Sequence, residues 1–203
     1  MVVFDSAVLT LLLWDGSSAP VDPNTGRPVE RCKDRIELLV KNLAQWDEII
    51  LIPTPVIAEV LVVTGNEGLR YVSILQKSRV FRIEGFDARA AIELAEMTRT
   101  ALAAGDKFSG IDAPWQKLKI DRQIVAIARV AGARRLYTND KNLRSVAERA
   151  GLGVVGVHEL ELPAEDPQSD LIEMLEQQAA AMEAPQDGPE DLPTEEDSDE
   201  DES

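Results

Sequence analysis

The sequence predicts an α/β fold: a five-stranded parallel sheet with helices on both faces. Three observations predict it. Five short apolar runs recur along roughly the first 160 residues. Segments whose apolar residues follow helical spacing separate them. The runs are continuous and lack the alternation of a half-exposed strand, which places them in a sheet covered on both sides. Right-handed crossovers then leave few topologies.

The elements follow in order. Residues 2–5 (VVFD) read as a buried strand ending in a carboxylate, and 6–14 (SAVLTLLLW) as a buried helix capped by Asp5 or Ser6. Residues 15–28, rich in Gly, Pro, Ser and Asp, form a loop long enough to act as a lid or binding element. Helical spacing returns over 29–46, where Val29, Ile36, Leu39, Val40, Leu43 and Trp46 share a face. A second strand at 49–52 is stopped by Pro53. The next helix takes Thr54 as N-cap and Pro55 in its first turn, turns Val56, Ile57, Val60 and Leu61 inward, and carries Glu59. A helix over 67–77, a strand at 79–83 (RVFRI) and an Ala-rich helix over 87–103 follow. After a loop at 105–114 come a helix over 116–131, a strand at 135–138, a helix over 141–150 and a strand at 154–157.

The domain organisation is a body, residues 1–162, and an acidic tail, residues 163–203. The net charge of −16 belongs wholly to the tail. Residues 164–203 hold 16 of the 37 acids and no base, so 37 − 16 = 21 acids face 21 bases in the body. Residues 169–183 keep Leu171, Ile172, Leu175 and Met182 on roughly one helical face, as a docking or partner-binding helix would. Residues 184–203 read as disordered. A tail of this charge serves as a solubilising segment, a mimic of nucleic acid that shields a site, or a hook for a basic partner.

The single cysteine, Cys32, and single histidine, His158, exclude an internal disulfide and a Cys/His zinc cluster. The chain has no G-x-S-x-G elbow and no Walker-type phosphate loop. Gly151 to Gly156 match G-x-G-x-x-G, but they precede a strand instead of opening a helix after one. His158 reads as a surface or cap residue, and Cys32 as packed in its helix. No secretory leader is expected from the Met1–Asp5 start, and no apolar stretch is long enough to span a bilayer, so the expected location is cytoplasmic.

Acids are the plentiful reactive groups. In open α/β sheets, ligands bind beyond the carboxyl ends of the strands. Asp5 closes the first strand, and Asp140 lies two residues past the fourth. Glu59 sits in the helix after the second. Asp121 lies early in the helix before the fourth strand, whose N-terminus starts at the same edge. Carboxylates gathered there stay ionised only beside a cation, and oxygen ligands favour Mg²⁺ or Mn²⁺.

Three passages carry a family resemblance: VVFDSAVLTLLL with Asp5, TPVIAEVL with Glu59, and IDRQIVAIARVAGARRLYTND with Asp121 and Asp140. Over about residues 1–160 the chain is similar to the PIN-domain family. The resemblance implies the strand order 3-2-1-4-5 and a metal-dependent ribonuclease site. It makes Asp5, Asp121 and Asp140 the metal ligands, with Glu59 a fourth acid that binds metal or orients water. Thr138 and Asn139 fit the polar strand-end segment as supporting donors. Many members are toxins of toxin–antitoxin pairs and many dimerise, so an antitoxin, a second copy or a basic protein joins RNA among the expected partners.

Each acid also has a purely structural reading. Asp5 and Asp140 can be helix caps, Asp121 a charge favoured by the helix dipole, and Glu59 a solvated helix residue. For RNA contact, Lys117, Lys119 and Arg122 flank Asp121, and Arg31, Lys33 and Arg35 form a second basic group; solvated helix faces are the alternative. The expected activity is a Mg²⁺- or Mn²⁺-dependent endoribonuclease that cuts phosphodiesters with metal-activated water. The competing expectation is a catalytically weak PIN-fold module that binds RNA or protein under control of the tail.

Overall fold

The computed structural model describes residues 1–108 and 110–164, together with Leu175 and Gln178. Five strands form one all-parallel sheet: β1 (Val2–Phe4), β2 (Ile50–Pro53), β3 (Phe81–Glu84), β4 (Arg135–Tyr137) and β5 (Gly153–Val155), in the order β3-β2-β1-β4-β5. The α/β class and this strand order match the expectation. Among the described residues, seven α-helices flank the sheet: α1 (Ser6–Leu13), α2 (Cys32–Gln45), α3 (Thr54–Thr64), α4 (Gly68–Lys77), α5 (Ala88–Ala103), α6 (Trp115–Val130) and α7 (Lys141–Arg149). Right-handed crossovers in this order put α1 to α4 on one face and α5 to α7 on the other. Accordingly α1 packs on α2 and α3, whereas α6 packs on α5 and α7.

The central strands are apolar because both faces are covered. Val3, Phe4, Ile50, Leu51, Ile52 and Leu136 are essentially inaccessible to water. Helix α1 is buried over Val8–Leu13, as its nearly all-round apolar surface requires. Each large aliphatic side chain so buried stabilises the fold by about 1.5–3 kcal/mol. Phe4 and Tyr137 meet edge to face with ring centroids 5.5 Å apart. This contact fastens the carboxyl ends of β1 and β4 together, directly beneath the residues that follow them.

Several boundaries differ from the sequence reading. Strand β1 ends at Phe4, and Asp5 caps α1 instead of extending the strand. The helix expected from residue 29 starts at Cys32. Val29 donates its N–H to the Pro20 carbonyl, Val21 bridges Pro28, and Arg31 takes a left-handed φ of 52°. The segment is thereby tied to the preceding loop. Thr54 is the first helical residue and Pro53 the cap, because Pro53 passes from extended strand straight into the helix. Of the four side chains expected inward on α3, Val56 and Val60 are buried, while Ile57 and Leu61 are only partly so. Strand β3 begins at Phe81, where pairing with Ile50 starts. Cys32 is buried and its thiol meets the Val29 carbonyl.

The helix expected over 169–183 lies outside the described residues except for Leu175 and Gln178. Leu175 is buried and belongs to the hydrophobic core. The segment 184–203 lies wholly outside them. Among the described residues no helix is long and apolar enough to cross a membrane.

Candidate functional site

The register of the sheet builds the site. Phe4 pairs with Tyr137, so the next residues, Asp5 and Thr138, stand side by side at the carboxyl edge. The Asp5 N–H donates to the Tyr137 carbonyl at 3.2 Å. Asp5 then does two things. Its Oδ1 accepts from Val8 N–H at 2.8 Å and caps α1, while its Oδ2 accepts a short hydrogen bond from the Thr138 hydroxyl. Thr138, fully buried, in turn accepts from the Asp140 N–H at 2.9 Å. Asp140 Oδ1 caps α7 by accepting from Asn142 and Leu143 N–H, at 2.7 and 3.2 Å. The structural readings of Asp5 and Asp140 as caps therefore hold, and both caps lie at the carboxyl edge of the sheet.

Asp140 Oδ2 accepts from the Lys117 ammonium. Lys117 lies one turn before Asp121 on α6, and its Nζ is 3.8 Å from Asp121 Oδ1. Asp121 is 4% exposed, and its Oδ2 is buried without a hydrogen-bond partner. Glu59, exposed on α3, completes the group through longer-range electrostatics: its charge bears on Asp5, Asp121 and Lys117. The four acids are thus coupled electrostatically, though they come from four separate segments of the chain.

The electrostatics divide them. Burial pushes Asp5 up to about 7; the Thr138 and Val8 hydrogen bonds oppose this, and the charges of Asp140 and Glu59 add to it. Burial likewise raises Asp121 to about 6, opposed chiefly by Lys117. Burial also acts against the Asp140 carboxylate, but the Lys117 ammonium and the backbone donors of α7 outweigh it and hold its pKa below the usual range. Burial works against the Lys117 charge too, and the surrounding carboxylates more than compensate, so its pKa is raised.

Among the described residues, no three Asp, Glu, His or Cys side chains close on a common point as metal ligands do. The hydrogen bonds account for this. Both oxygens of Asp5 and both of Asp140 are engaged within the protein, and Lys117 stands between Asp140 and Asp121. The chemistry of the donor set nevertheless suits a divalent cation. It is all hard oxygen, carboxyl groups outnumber the one ammonium, and Asp121 Oδ2 is an orphaned acceptor. Asp5, Asp121 and Asp140, with Glu59 beside them, are the residues that would hold Mg²⁺ or Mn²⁺.

Asn139 orients the strand-end segment: its Oδ1 accepts from Val157 N–H at 3.0 Å, and its buried Nδ2 has no hydrogen-bond partner. Of the expected RNA-contacting cations, Lys119 is exposed, with its ammonium 5.8 Å from the Trp115 ring. Arg122 is 3% exposed, donates to the Lys107 carbonyl at 2.7 Å and so ties α6 to the 105–114 loop, and it also lines a second open cavity. In the second basic group, Arg31 pairs with Asp34, Lys33 with Asp15, and Arg35 donates to the Glu30 and Leu160 carbonyls.

An open cleft of about 950 Å³ has Glu59 and Asn139 on its wall. Trp14, Leu11, Val62, Val63 and Ile120 make it largely apolar, and Ser17 and Ser18 of the 15–28 loop close one side. Sequence reasoning missed this surface. The signal was present: Val62 and Val63 fall off the buried face of α3 and are exposed. It also missed that Lys117 enters the acidic pocket, although the i, i+4 spacing to Asp121 was available. No family model matches the chain, and no curated protein matches it.

Proposed function

We propose that this chain is a Mg²⁺- or Mn²⁺-dependent endoribonuclease acting on single-stranded RNA, with Asp5, Asp121 and Asp140 as metal ligands and Glu59 beside them. One observation carries the reading: at the carboxyl edge of a parallel sheet, Lys117 bridges Asp140 and Asp121, Asp5 is tied to Asp140 through Thr138, the charge of Glu59 bears on Asp5 and Asp121, and one buried Asp121 oxygen has no hydrogen-bond partner. The resemblance of the same residues to the PIN-domain motifs supports it.

The chain's own groups have definite tasks. Thr138 fixes the Asp5 carboxyl by donating to it, and fixes the start of α7 by accepting from Asp140 N–H. Asn139 holds the strand end through Val157. Asp5, Asp121 and Asp140 would hold the metal ion, which would lower the pKa of a bound water and offset charge developing on the phosphate and leaving-group oxygens. Glu59, exposed on α3, would bind the metal or orient the attacking water. Lys119 contributes a phosphate contact. The apolar cleft takes unstacked bases, which duplex RNA does not present.

The competing reading, a binding module without catalysis, draws on the Lys117 ammonium already neutralising part of the pocket and on the lack of a ready three-acid cluster among the described residues. Incubation with single-stranded RNA and Mn²⁺ decides between them. The nuclease reading predicts cleavage that EDTA stops and that Asp140→Asn abolishes; binding without cleavage at any Mn²⁺ concentration favours the module. A toxin role within a toxin–antitoxin pair extends the nuclease reading, and growth arrest on expression that Asp140→Asn relieves is its test.

A further inference from the structure

The nuclease reading leaves the position of Lys117 unexplained. An exposed i, i+4 ion pair on a helix contributes only a few tenths of a kcal/mol, and its geometry usually carries no consequence. This pair is of another kind. The Asp121 carboxyl is buried, and the Lys117 ammonium continues past it to hydrogen-bond Asp140 on a different element. Lys117 thereby joins α6 to the start of α7 across the pocket. Its side chain is 41% exposed, so it is not packed in place and has open solvent to move into.

We propose that the Lys117 ammonium is the resident counter-cation of the pocket, and that a divalent metal ion binds only by displacing it from Asp140. Metal binding and lysine release are then one competitive equilibrium. The inference rests on the metal-site reading above and adds that the protein carries its own inhibitor of metal loading. Two geometric facts carry it. Asp140 Oδ1 is committed to the N–H groups of Asn142 and Leu143, so Oδ2, which Lys117 holds, is the oxygen left for a metal. Asp121 presents Oδ1 to the same ammonium, while its Oδ2 is buried without a hydrogen bond. Removing a single positive charge this close to a metal pocket strengthens cation binding substantially.

The test is Mn²⁺ binding to the full chain, followed by loss of the free-ion paramagnetic signal, for the wild type, Lys117→Met and the double variant Asp5→Asn/Asp140→Asn. The acidic tail also attracts Mn²⁺, so the double variant supplies its background. Competition predicts that Lys117→Met binds Mn²⁺ at least about 10-fold more tightly than the wild type. A merely structural lysine predicts weaker binding on its removal. In parallel, Mg²⁺ titration of the wild type is followed through the side-chain εCH₂ resonances of its lysines, with Lys117 assigned by its absence in Lys117→Arg. Movement of the Lys117 signal with metal supports displacement. Equal or weaker Mn²⁺ binding in Lys117→Met, or a stationary Lys117 signal while the wild type binds metal, overturns this inference alone. Wild-type binding no stronger than that of the double variant overturns the metal site and this inference with it.

Discussion

The ends of β1 and β4 present the same local device with opposite electrostatic outcomes. Each strand is followed by an aspartate that caps the next helix, Asp5 on α1 and Asp140 on α7. Asp5 is 2% exposed, has only neutral donors and is pushed up to about 7. Asp140 is more open, touches Lys117 and is held below the ordinary carboxylate range. A third aspartate, Asp87, caps α5 through Ala90 N–H, far from the acids, and its pKa is lowered by that bond and by Arg89. Capping geometry therefore does not distinguish a structural carboxylate from a site carboxylate. What differs is the surroundings: the charges of Asp140 and Glu59 bear on buried Asp5, and Lys117 bears on Asp140, whereas Asp87 is exposed beside Arg89.

The largest expected effect breaks the comparison at its chemical end. Asp5→Asn and Asp140→Asn each lower Mn²⁺-dependent RNA cleavage by at least about 100-fold, since even outer partners of metal ligands cost 10–100-fold. Asp87→Ala leaves cleavage unchanged, measured under the same conditions.

The next effect is on stability against pH. Between about pH 4 and 7 the metal-free native chain binds more protons at Asp5 and Asp121 than the unfolded chain does. Stability therefore falls as pH rises through that window and levels off above it. With its carboxyl near 7 in the native chain and near 4 once unfolded, Asp5 alone accounts for on the order of 4 kcal/mol of that fall. Denaturant unfolding in EDTA at pH 5 and pH 8 measures it. Asp5→Asn flattens the profile, and an unchanged slope would remove the account of Asp5.

Smaller effects sharpen the contrast. Thr138→Val deletes the donor to Asp5 and the acceptor for Asp140 N–H inside the core, at a cost of about 1–3 kcal/mol by equilibrium unfolding. Asp87→Ala lowers stability only slightly, through the lost cap, with no dependence on Mn²⁺, as equilibrium unfolding with and without the ion would show.

Much of this was legible in the sequence for physical reasons. Continuous apolar runs such as Val2–Phe4 report a sheet covered on both faces, and the helical spacing of Ile36, Val40 and Leu43 reports α2. That Asp5, Asp121 and Asp140 lie at one edge follows from parallel topology. The pairings within that edge were not legible. Whether Lys117 turns to solvent or to Asp140, and whether Arg122 faces outward or into the core, depends on how α6 rotates against α5 and α7, which local pattern does not specify. The start of α2 was misjudged because the bridge from Val21 to Pro28 is a non-local contact. The cleft beside Glu59 is likewise made of residues from α1, α3 and α6 that become neighbours only on folding.

The central claim is that the edge acids form a divalent-metal site, and its most direct measurement is crystallographic. Crystals of the full chain soaked in Mn²⁺ and measured at the manganese absorption edge locate the ion by anomalous scattering. The account predicts a peak bounded by the carboxylates of Asp5, Asp121 and Asp140. Crystals that bind Mn²⁺ elsewhere, with Lys117 still on Asp140 and no peak at this edge, would contradict it.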